Sequence, residues 1–491
     1  MNNNQLVVVG SGSAAMVAAM IAHDEGCRKI RIVEKAPEAE MGGNTRFTPG
    51  FWRFAFKDQE EVKSMGLLPQ VTEEEWKSIY LEPYSPEDYF NSIMKVGEGK
   101  PKKEFAHWIA DESNDITRYL TSEGFRWQFA TSFVTATDED RTYNGGLFMS
   151  SKGLGPGLID MQLEALRSRN LEVECDTAAV DLLRDNGGAV IGIRARMPDG
   201  SYEDIHGVVI LASGGFEANP EMRTRYLGPE WNIVKTRGTR FNTGEMMQAA
   251  FNIGAQAFGH IAGTHSTCVD TSSPELAPLE LGTTTTRISH QWGVLVNRLG
   301  KRFTDEGFDW LFQSYVKVAN DVIKQPGNVA YQIFDSKVFG LLDKTRYPCA
   351  DPAQADTIEE LADKIDIDKD EFLATIHAYN GAVDDSVPFD ATSKDGLATV
   401  GLSPNKTNWA QKMDTPPYRA YPVESGITFT FGGLKQDMNS RILDFQDKPI
   451  EGLYGCGEIT GGFFYTNYPA GSGLVKGAVT ARAAARHAAH L

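Results

Sequence analysis

Two short stretches near the start of the chain have residue types and spacing suited to holding a phosphorylated cofactor. Gly10-Ser-Gly12-Ser13-Ala14-Ala15 follows the apolar run Leu6–Val9, and Glu34-Lys35 closes the next run, Ile30–Val33. Gly10 permits a tight turn, and Gly12 lets backbone N–H groups approach a pyrophosphate at a helix start. Ala15 keeps helix and strand close. Glu34 stands at the spacing that accepts hydrogen bonds from ribose hydroxyls. The pattern predicts the ADP half of a dinucleotide, with Gly10, Gly12, Ser13, Ala14, Glu34 and Lys35 as candidate contacts. Gly42-Gly43-Asn44-Thr45 comes after the second strand and adds donors suited to a ribityl chain, pyrophosphate or flavin ring. After such a fingerprint it points to FAD over NAD, because FAD stretches further across its domain.

Three apolar runs leading into glycine turns must position these groups. They are Leu6–Val9, Val208–Leu211 before Ala212-Ser213-Gly214-Gly-Phe216, and Gly452–Gly455 before Cys456-Gly457-Glu458. Such runs fit parallel strands buried on both faces of an α/β sheet. The first and last turns lie at opposite ends of the chain, so the nucleotide fold is expected to be discontinuous, with a second domain inserted. The region from Lys57 to Ser113 is acidic, aromatic and punctuated by Pro69, Pro83, Pro86 and Pro101, and reads as a solvated helix-and-loop surface. Asp356–Ala362, opening on a capping residue, and Phe372–Tyr379 carry a helical apolar period and predict short helices of the insert.

Composition removes several function classes. The 491 residues have a normal apolar share of 41%, enough for more than one domain. A formal charge of -18 argues against nucleic acid or anionic membrane as partner. The five cysteines (27, 175, 268, 349 and 456) contain no C-x-x-C, so no haem, zinc or cysteine-ligated cluster is encoded and no metal site is expected. Unpaired, scattered thiols suit a reducing compartment. The first strand begins almost at Met1, leaving no room for a signal peptide. The Ala-rich C-terminal segment is broken by Lys476, Arg482 and Arg486, so no membrane span is expected. The expectation is a cytoplasmic protein.

The block from Gly455 to Val475, GCGEITGGFFYTNYPAGSGLV, resembles the closing motif of the fumarate reductase/succinate dehydrogenase flavoprotein family. The resemblance covers nearly the whole chain. Ala212–Phe216 is similar to the family's adenine-side turn, Asn242-Thr-Gly-Glu245 to its TGD/E turn, Val296–Phe303 to its strand-turn-strand, and Thr430–Leu434 to the point of re-entry into the FAD domain. It implies a Rossmann-like FAD-binding domain with a glutathione-reductase-like sheet, in two parts (1–259 and 430–491), and an inserted α+β capping domain over 260–429. It implies that Glu458 beside Gly457 holds the ribitol, and that a helix starting at Ser472-Gly473-Leu474-Val475 faces the flavin pyrimidine oxygen, where a helix N-terminus stabilises negative charge. Ala179, Ala212, Ser213, Gly214 and Asn242 complete the candidate cofactor contacts. Within the family, Gly42–Thr48, Asp305–Gly307 and Phe464–Pro469 are most similar to tricarballylate dehydrogenase-like proteins. The implied chemistry is hydride transfer between flavin N5 and one carbon of a CH–CH bond beside a carboxylate or carbonyl.

The chain departs from the family pattern where substrate binds. No arginine stands in Asp305–Gln313, where fumarate-reducing relatives have a proton donor. Phe429 replaces a substrate histidine, and Tyr468 replaces a substrate arginine. These losses disfavour fumarate and favour dehydrogenation over reduction. Tyr468-Pro-Ala-Gly-Ser-Gly resembles the motif with which 3-ketosteroid delta-1-dehydrogenases polarise a ketone. His265 falls where reductases bind substrate, Arg237, Arg240 and Arg287 are candidate carboxylate clamps, and Tyr465 and His290 are candidate proton relays. The small-molecule substrate is therefore a carboxylate, or an enone or ketone. A cyclic apolar ketone lined by Phe429, Trp310 and Leu311 is the alternative substrate, and a non-catalytic flavin-binding protein the alternative class. No histidine lies in Gly42–Gly50, so FAD is expected to be non-covalent. An external carrier, quinone or oxygen is expected to exchange electrons with it.

Overall fold

A computed structural model describes residues 5–130, 134–136 and 141–490. Its contacts divide the chain into two units. Unit 1 takes the residues up to Gly228, Gly238–Thr264 and those from Phe429 onward. Unit 2 takes Pro229–Arg237 and His265–Thr428. The insert therefore starts at His265, not His260, and also includes Pro229–Arg237. That segment goes with unit 2 because Lys235 and Thr236 pair in parallel with Gly426 and Ile427.

Unit 1 is built on a six-stranded sheet. Its parallel part pairs β1 (Leu6–Val9) with β2 (Ile30–Val33), β2 with β3 (Val173–Glu174), and β1 with β4 (Val208–Leu211). Strand β5 (Pro449–Gly455), which starts three residues before the expected Gly452, adds to β4 with Val209 opposite Leu453, and Arg441–Leu443 closes the edge antiparallel. All four residues of β1 are buried, as a strand covered on both faces requires. Helix α1 (Ser13–Asp24) packs on α2 (Ser472–Ala489). Small residues make this approach possible: a Cβ added at Gly457 would lie 2.8 Å from the Ala14 Cβ, and one at Gly477 3.5 Å from it. Tyr202–His206, Val190–Arg196 and Ala178–Arg184 form a separate antiparallel meander.

The Lys57–Ser113 stretch differs from its expected solvated character. The helix Lys103–Ser122 repeats Phe105, Ile109, Ser113, Ile116 and Leu120 on one face, all buried, and packs on α2. Tyr89 is likewise fully buried. The acidic residues occupy the outer face of elements whose inner face is core.

Unit 2 is an α+β layer structure around the long strand Tyr418–Thr430. Val329–Phe334, Ala353–Ala355 and Thr264–Asp270 pair with it, and Val294–Asn297 pairs with Val329–Phe334. Strand alternation sorts the two faces. Val294, Val296, Tyr331 and Ile333 pack with Phe372, Ile376 and Tyr379 of the helix Lys369–Ala382. Leu295, Ala330 and Val423 pack with Val318, Ala319 and Val322 of the helix Leu311–Val322. The short helix expected at Asp356–Ala362 forms at Ile358–Ala362, capped by Thr357 and not Asp356, since the Thr357 side chain accepts from the Glu360 N–H.

Candidate functional site

The first cradle in unit 1 lies where β1 turns into α1. Gly10 has φ +114°, and a Cβ there would lie 2.5 Å from the Ala212 carbonyl oxygen, so β1 and β4 meet only through glycine. Gly12 supplies no side-chain cap to α1, leaving the helix start to backbone donors. Thr45 fixes that start by accepting from the Ser13 N–H at 3.0 Å. Ser11, which sequence reasoning passed over as a spacer, ties the parts together. Its hydroxyl donates to Glu34 Oε2 at 2.6 Å and accepts from the Gly42 N–H at 2.8 Å. Glu34 Oε1 accepts from the Ala36 N–H at 2.7 Å. Ala179 follows closely on Thr177, whose N–H donates to the Glu34 carbonyl at 2.8 Å.

Two expected contacts turn inward. The Asn44 amide donates to Glu217 Oε1 and accepts from the Thr239 N–H at 2.9 Å, so it braces the cradle with both ends. The Lys35 ammonium is committed to Thr243 and to Glu245, at 2.7 Å from its Oε2, because these acceptors stand on the Asn242–Glu245 turn beside it. The Ala212–Gly214 turn lies against Asn242, since a Cβ at Gly214 would sit 2.5 Å from the Asn242 amide nitrogen.

The second cradle is the start of α2. Gly471 has φ +83° and no side chain to cap the helix. Ser472 and Val475 are buried, whereas Gly473 and Leu474 are partly exposed. The Ser472 N–H donates to the Pro469 carbonyl at 3.2 Å, which shapes the turn into the helix. Glu458, partly exposed after Gly457, accepts from the Thr430 N–H at 2.9 Å. Two helix starts led by glycine, a carboxylate at ribose spacing, and open space around Gly12 fit an extended dinucleotide. A Cβ at Gly12 would meet nothing nearer than Thr45 Oγ1 at 3.7 Å.

Among the catalytic candidates of unit 1, Tyr468 is the most tightly held. Its hydroxyl accepts from the Gly473 N–H at 3.1 Å, at the first turn of α2. Phe429 and Phe464 pack edge-on to its ring at 5.3 and 5.0 Å. Burial pushes its pKa up, while the Gly473 N–H and the Arg53 guanidinium oppose that rise. Arg53 was missed by the sequence reading. It is fully buried, donates from Nε to the Ala470 carbonyl at 2.8 Å, and also reaches the Gly145 carbonyl. Its signal was a lone cation in the aromatic run Phe51–Phe56. Tyr465 is placed differently from its expected relay role: its ring stacks on His260 at 4.1 Å with the Lys100 ammonium 5.4 Å from its centroid.

Unit 2 sorts its own candidates. His265 and the Tyr315 hydroxyl share a hydrogen bond of 2.5 Å, and burial, reinforced by the Arg237 charge, pushes the imidazole well below its ordinary range. Tyr315 lies on Leu311–Val322, a pairing that only the fold reveals. Arg237 is buried and donates to Thr428 Oγ1 at 3.1 Å. Arg287 is no clamp. It pairs with Asp270 at 3.0 Å and donates to the Thr284, Thr286 and Arg346 carbonyls, which consumes its donors. Arg240 is a surface ion pair, bonded through two nitrogens to Glu40 at 2.7 and 2.8 Å. Trp310 packs on Trp409 at 5.2 Å.

His290 is a structural group and no relay. It is buried, bonds Ser314 Oγ at 3.0 Å, and burial with the Lys406 and Lys317 charges pushes its pKa down to about 3. The folded chain therefore holds it neutral, and its stabilising contribution is present above the ordinary value of 6.5 and lost as pH falls from there towards 3. His290→Gln keeps a partner for Ser314 and is expected to flatten the acid arm of the unfolding free energy from urea melts, plotted against pH, by about 1.4 kcal/mol per pH unit, one proton's worth. Parallel curves for the two proteins would refute this assignment.

Among the described residues no cluster of metal ligands exists, and no helix is long and apolar enough to cross a membrane. The parallel sheet and the two helix-start cradles define a dinucleotide-binding flavoprotein. Over residues 5–474 the chain matches the FAD binding domain family, and it belongs to that family. It is 26% identical to NADH:acrylate oxidoreductase of Vibrio harveyi over 96% of this chain, and spans about half (49%) of that protein's length. It is 26% identical to the fumarate reductase (cytochrome) of Shewanella frigidimarina, covering 96% of this chain and 74% of the relative. It is also 26% identical to a 3-oxosteroid 1-dehydrogenase of Mycobacterium tuberculosis, covering 97% and 96%. Among solved structures, 3-ketosteroid delta1-dehydrogenase from Sterolibacterium denitrificans superposes with a TM-score of 0.76 at 20% identity, over 100% of both chains. An open flavocytochrome c3 fumarate reductase gives 0.73 at 24% identity, over 99% of this chain and 78% of the other. Both share the fold. FAD as the cofactor, read first from the glycine motifs, agrees with the family.

Proposed function

We propose that this chain is an FAD-dependent oxidoreductase acting on a CH–CH bond next to a carbonyl or carboxylate. Bound FAD supplies the hydride acceptor or donor at N5. Gly12, Ser13 and Gly43 would hold the pyrophosphate, Glu34 the adenosine ribose, Glu458 the ribityl chain, and the first turn of α2 at Leu474 the flavin pyrimidine edge. Tyr468 carries the reading. Its oxygen is fixed on the Gly473 N–H at the positive end of α2, so its O–H is oriented to polarise a substrate oxygen and stabilise enolate charge. On unit 2, the His265–Tyr315 pair is the candidate proton-handling group.

The cations argue about the substrate. Arg287 and Arg240 are consumed by Asp270 and Glu40, and Arg237, which donates to Thr428 Oγ1, is the candidate anion-binding residue. A polycarboxylate desolvated in a pocket needs several cations, so the reading favours a ketone, an enone or a monocarboxylate. A ketosteroid-type substrate is the second reading, favoured by Phe429 and Phe464 flanking Tyr468. Electrons exchange with an external donor or acceptor: oxygen, a quinone or a separate carrier. Five scattered free thiols fit a cytoplasmic setting for this chain.

The test is reoxidation of dithionite-reduced, flavin-loaded protein by unsaturated monocarboxylates, dicarboxylates and cyclic enones. Monocarboxylates or enones should restore the yellow oxidised spectrum. Colour without turnover on any of them would leave a binding protein and sink the enzyme reading. Arg237→Gln should raise KM for a monocarboxylate by about 10- to 100-fold, the worth of one charge-assisted hydrogen bond, and leave an enone's KM unchanged. Equal effects on both classes would remove Arg237 from anion binding.

A further inference from the structure

Tyr468 is delivered by a turn that its own residues disfavour. The Asn467 N–H donates to the Tyr465 carbonyl at 2.6 Å, closing a three-residue turn with Thr466 at its centre. Thr466 has φ +57°, so this is the positive-φ form of such a turn, the rare and strained one. A β-branched residue in the left-handed region persists only where its surroundings hold it there. The turn leads directly into the candidate catalytic phenol, since the Asn467 side-chain oxygen accepts from the Tyr468 N–H at 2.8 Å.

His260 supplies the hold. Its Nδ1 accepts from the Thr466 N–H at 3.1 Å. A backbone N–H can only donate, so Nδ1 carries the lone pair and the imidazole is neutral, with its proton on Nε2. Two neighbours seat the ring. Tyr465 stacks on it at 4.1 Å, with 5° between the planes. A Cβ at Gly263 would lie 2.1 Å from Nδ1, so the imidazole occupies space that any other residue there would fill. The Thr466 hydroxyl tightens the turn by donating to the Tyr465 carbonyl at 2.7 Å. We propose that His260 is a positioning residue for the reaction: its neutral ring clasps the strained Tyr465–Asn467 turn and so aims the Tyr468 hydroxyl at the substrate oxygen. This rests on the reading of Tyr468 above.

Besides the Tyr465 phenol, four lysine and glutamate groups surround the ring. The Lys100 ammonium lies 5.4 Å from the Tyr465 centroid and pairs with Glu98 at 3.3 Å. Lys102 and Lys435 lie over Phe258, two residues before His260, at 5.8 and 5.3 Å. Burial first, and then the Lys100 charge, push the His260 pKa below its ordinary 6.5, and Glu98 opposes them. The sign follows. A lowered histidine value means that the clasp is intact above 6.5 and is lost as pH falls through the lowered one. There Nδ1 takes a proton and becomes a donor facing the Thr466 N–H, which is itself a donor.

The experiment measures reoxidation of the dithionite-reduced, flavin-loaded protein by crotonate and by cyclohexenone from about pH 5 to about pH 8. It compares the wild type with His260→Asn, His260→Phe and the double variant His260→Phe/Thr466→Gly. Asparagine offers an acceptor oxygen near the place of Nδ1 and does not titrate. His260→Asn should stay within about threefold of the wild-type rate at the alkaline end and lose the wild type's acid limb nearest neutrality. Phenylalanine keeps the stack on Tyr465 without the acceptor, so His260→Phe should be about 5- to 10-fold slower, the scale of one hydrogen bond. Adding Thr466→Gly, which takes a positive φ freely, should restore most of that rate. Identical acid limbs in the wild type and His260→Asn, or a wild-type rate in His260→Phe, would overturn the proposal. Two readouts need no turnover. The Thr466 amide should exchange its hydrogen faster in His260→Phe than in the wild type or His260→Asn. Heteronuclear NMR of the histidine rings at neutral pH should show the His260 Nδ1 unprotonated, its signal assigned by its loss in His260→Asn. Equal exchange in all the proteins, or a proton on Nδ1, would also overturn the proposal. Should His260→Phe not fold, the Nδ1 state and the His260→Asn acid limb decide the matter. If exchange and NMR behave as expected while Tyr468→Phe keeps its rate, the Tyr468 reading fails and the clasp on the turn stands.

Discussion

Replacing Tyr468 with Phe leaves a yellow protein whose turnover falls by about 10²- to 10³-fold, the usual loss on removing one donor to a developing oxyanion. The change deletes one oxygen and keeps the ring, so the edge-on contacts with Phe429 and Phe464 survive. The Gly473 N–H loses its acceptor, a cost of about 1 kcal/mol that a large folded unit absorbs. Structure and chemistry therefore separate at this position: spectrum and melting temperature hold while rate collapses. Because burial raises the phenol pKa above its ordinary 10, wild-type activity should not decline on the alkaline side through Tyr468 ionisation below that value. A loss of less than about threefold in Tyr468→Phe would reduce the residue to a packed aromatic.

The second large effect falls at the junction of β1 and β4. Gly10→Ala is expected to give colourless, poorly folded protein, at a cost of about 3 kcal/mol or more. Two causes add. The backbone is at φ +114°, and the new Cβ would lie 2.5 Å from a main-chain oxygen, that of Ala212, which cannot swing away without parting the strands. Gly26→Ala isolates the first cause, because Gly26 has φ +99° and nothing within 4 Å of the added carbon. That control should cost only about 1 kcal/mol and keep its FAD. Absorbance at the flavin band relative to protein, with thermal melts, measures both. Similar behaviour of the two variants would mean the strand junction tolerates separation.

What could be read from the chain alone was whatever depends on neighbours in sequence. Gly10, Gly12, Gly471 and Gly473 shape turns within a few residues of themselves, so β1, α1, β5 and α2 were legible from glycine spacing and apolar runs. Groups whose partners arrive from far along the chain were not. Ser11 became a clasp only when Glu34 and Gly42 came to either side of it. Arg287 looked like any candidate clamp until Asp270 and three carbonyls took its donors. Arg53, Tyr315 and Glu217 carry no motif at all, and their meaning lies in what surrounds them. Asn44 kept the hydrogen-bonding capacity predicted for it but turned that capacity inward to Glu217 and Thr239.

The pairing of β1 and β5 with β4, and of α1 with α2, joins Leu6–Val9 and Ser13–Asp24 to segments that begin at Pro449. On the ribosome, β1 and α1 thus wait for partners until β5 and α2 have been made, roughly half a minute to a minute and a half later at ordinary elongation speeds. Loading of the coenzyme therefore waits for α2, and a nascent chain halted shortly before that helix would carry none.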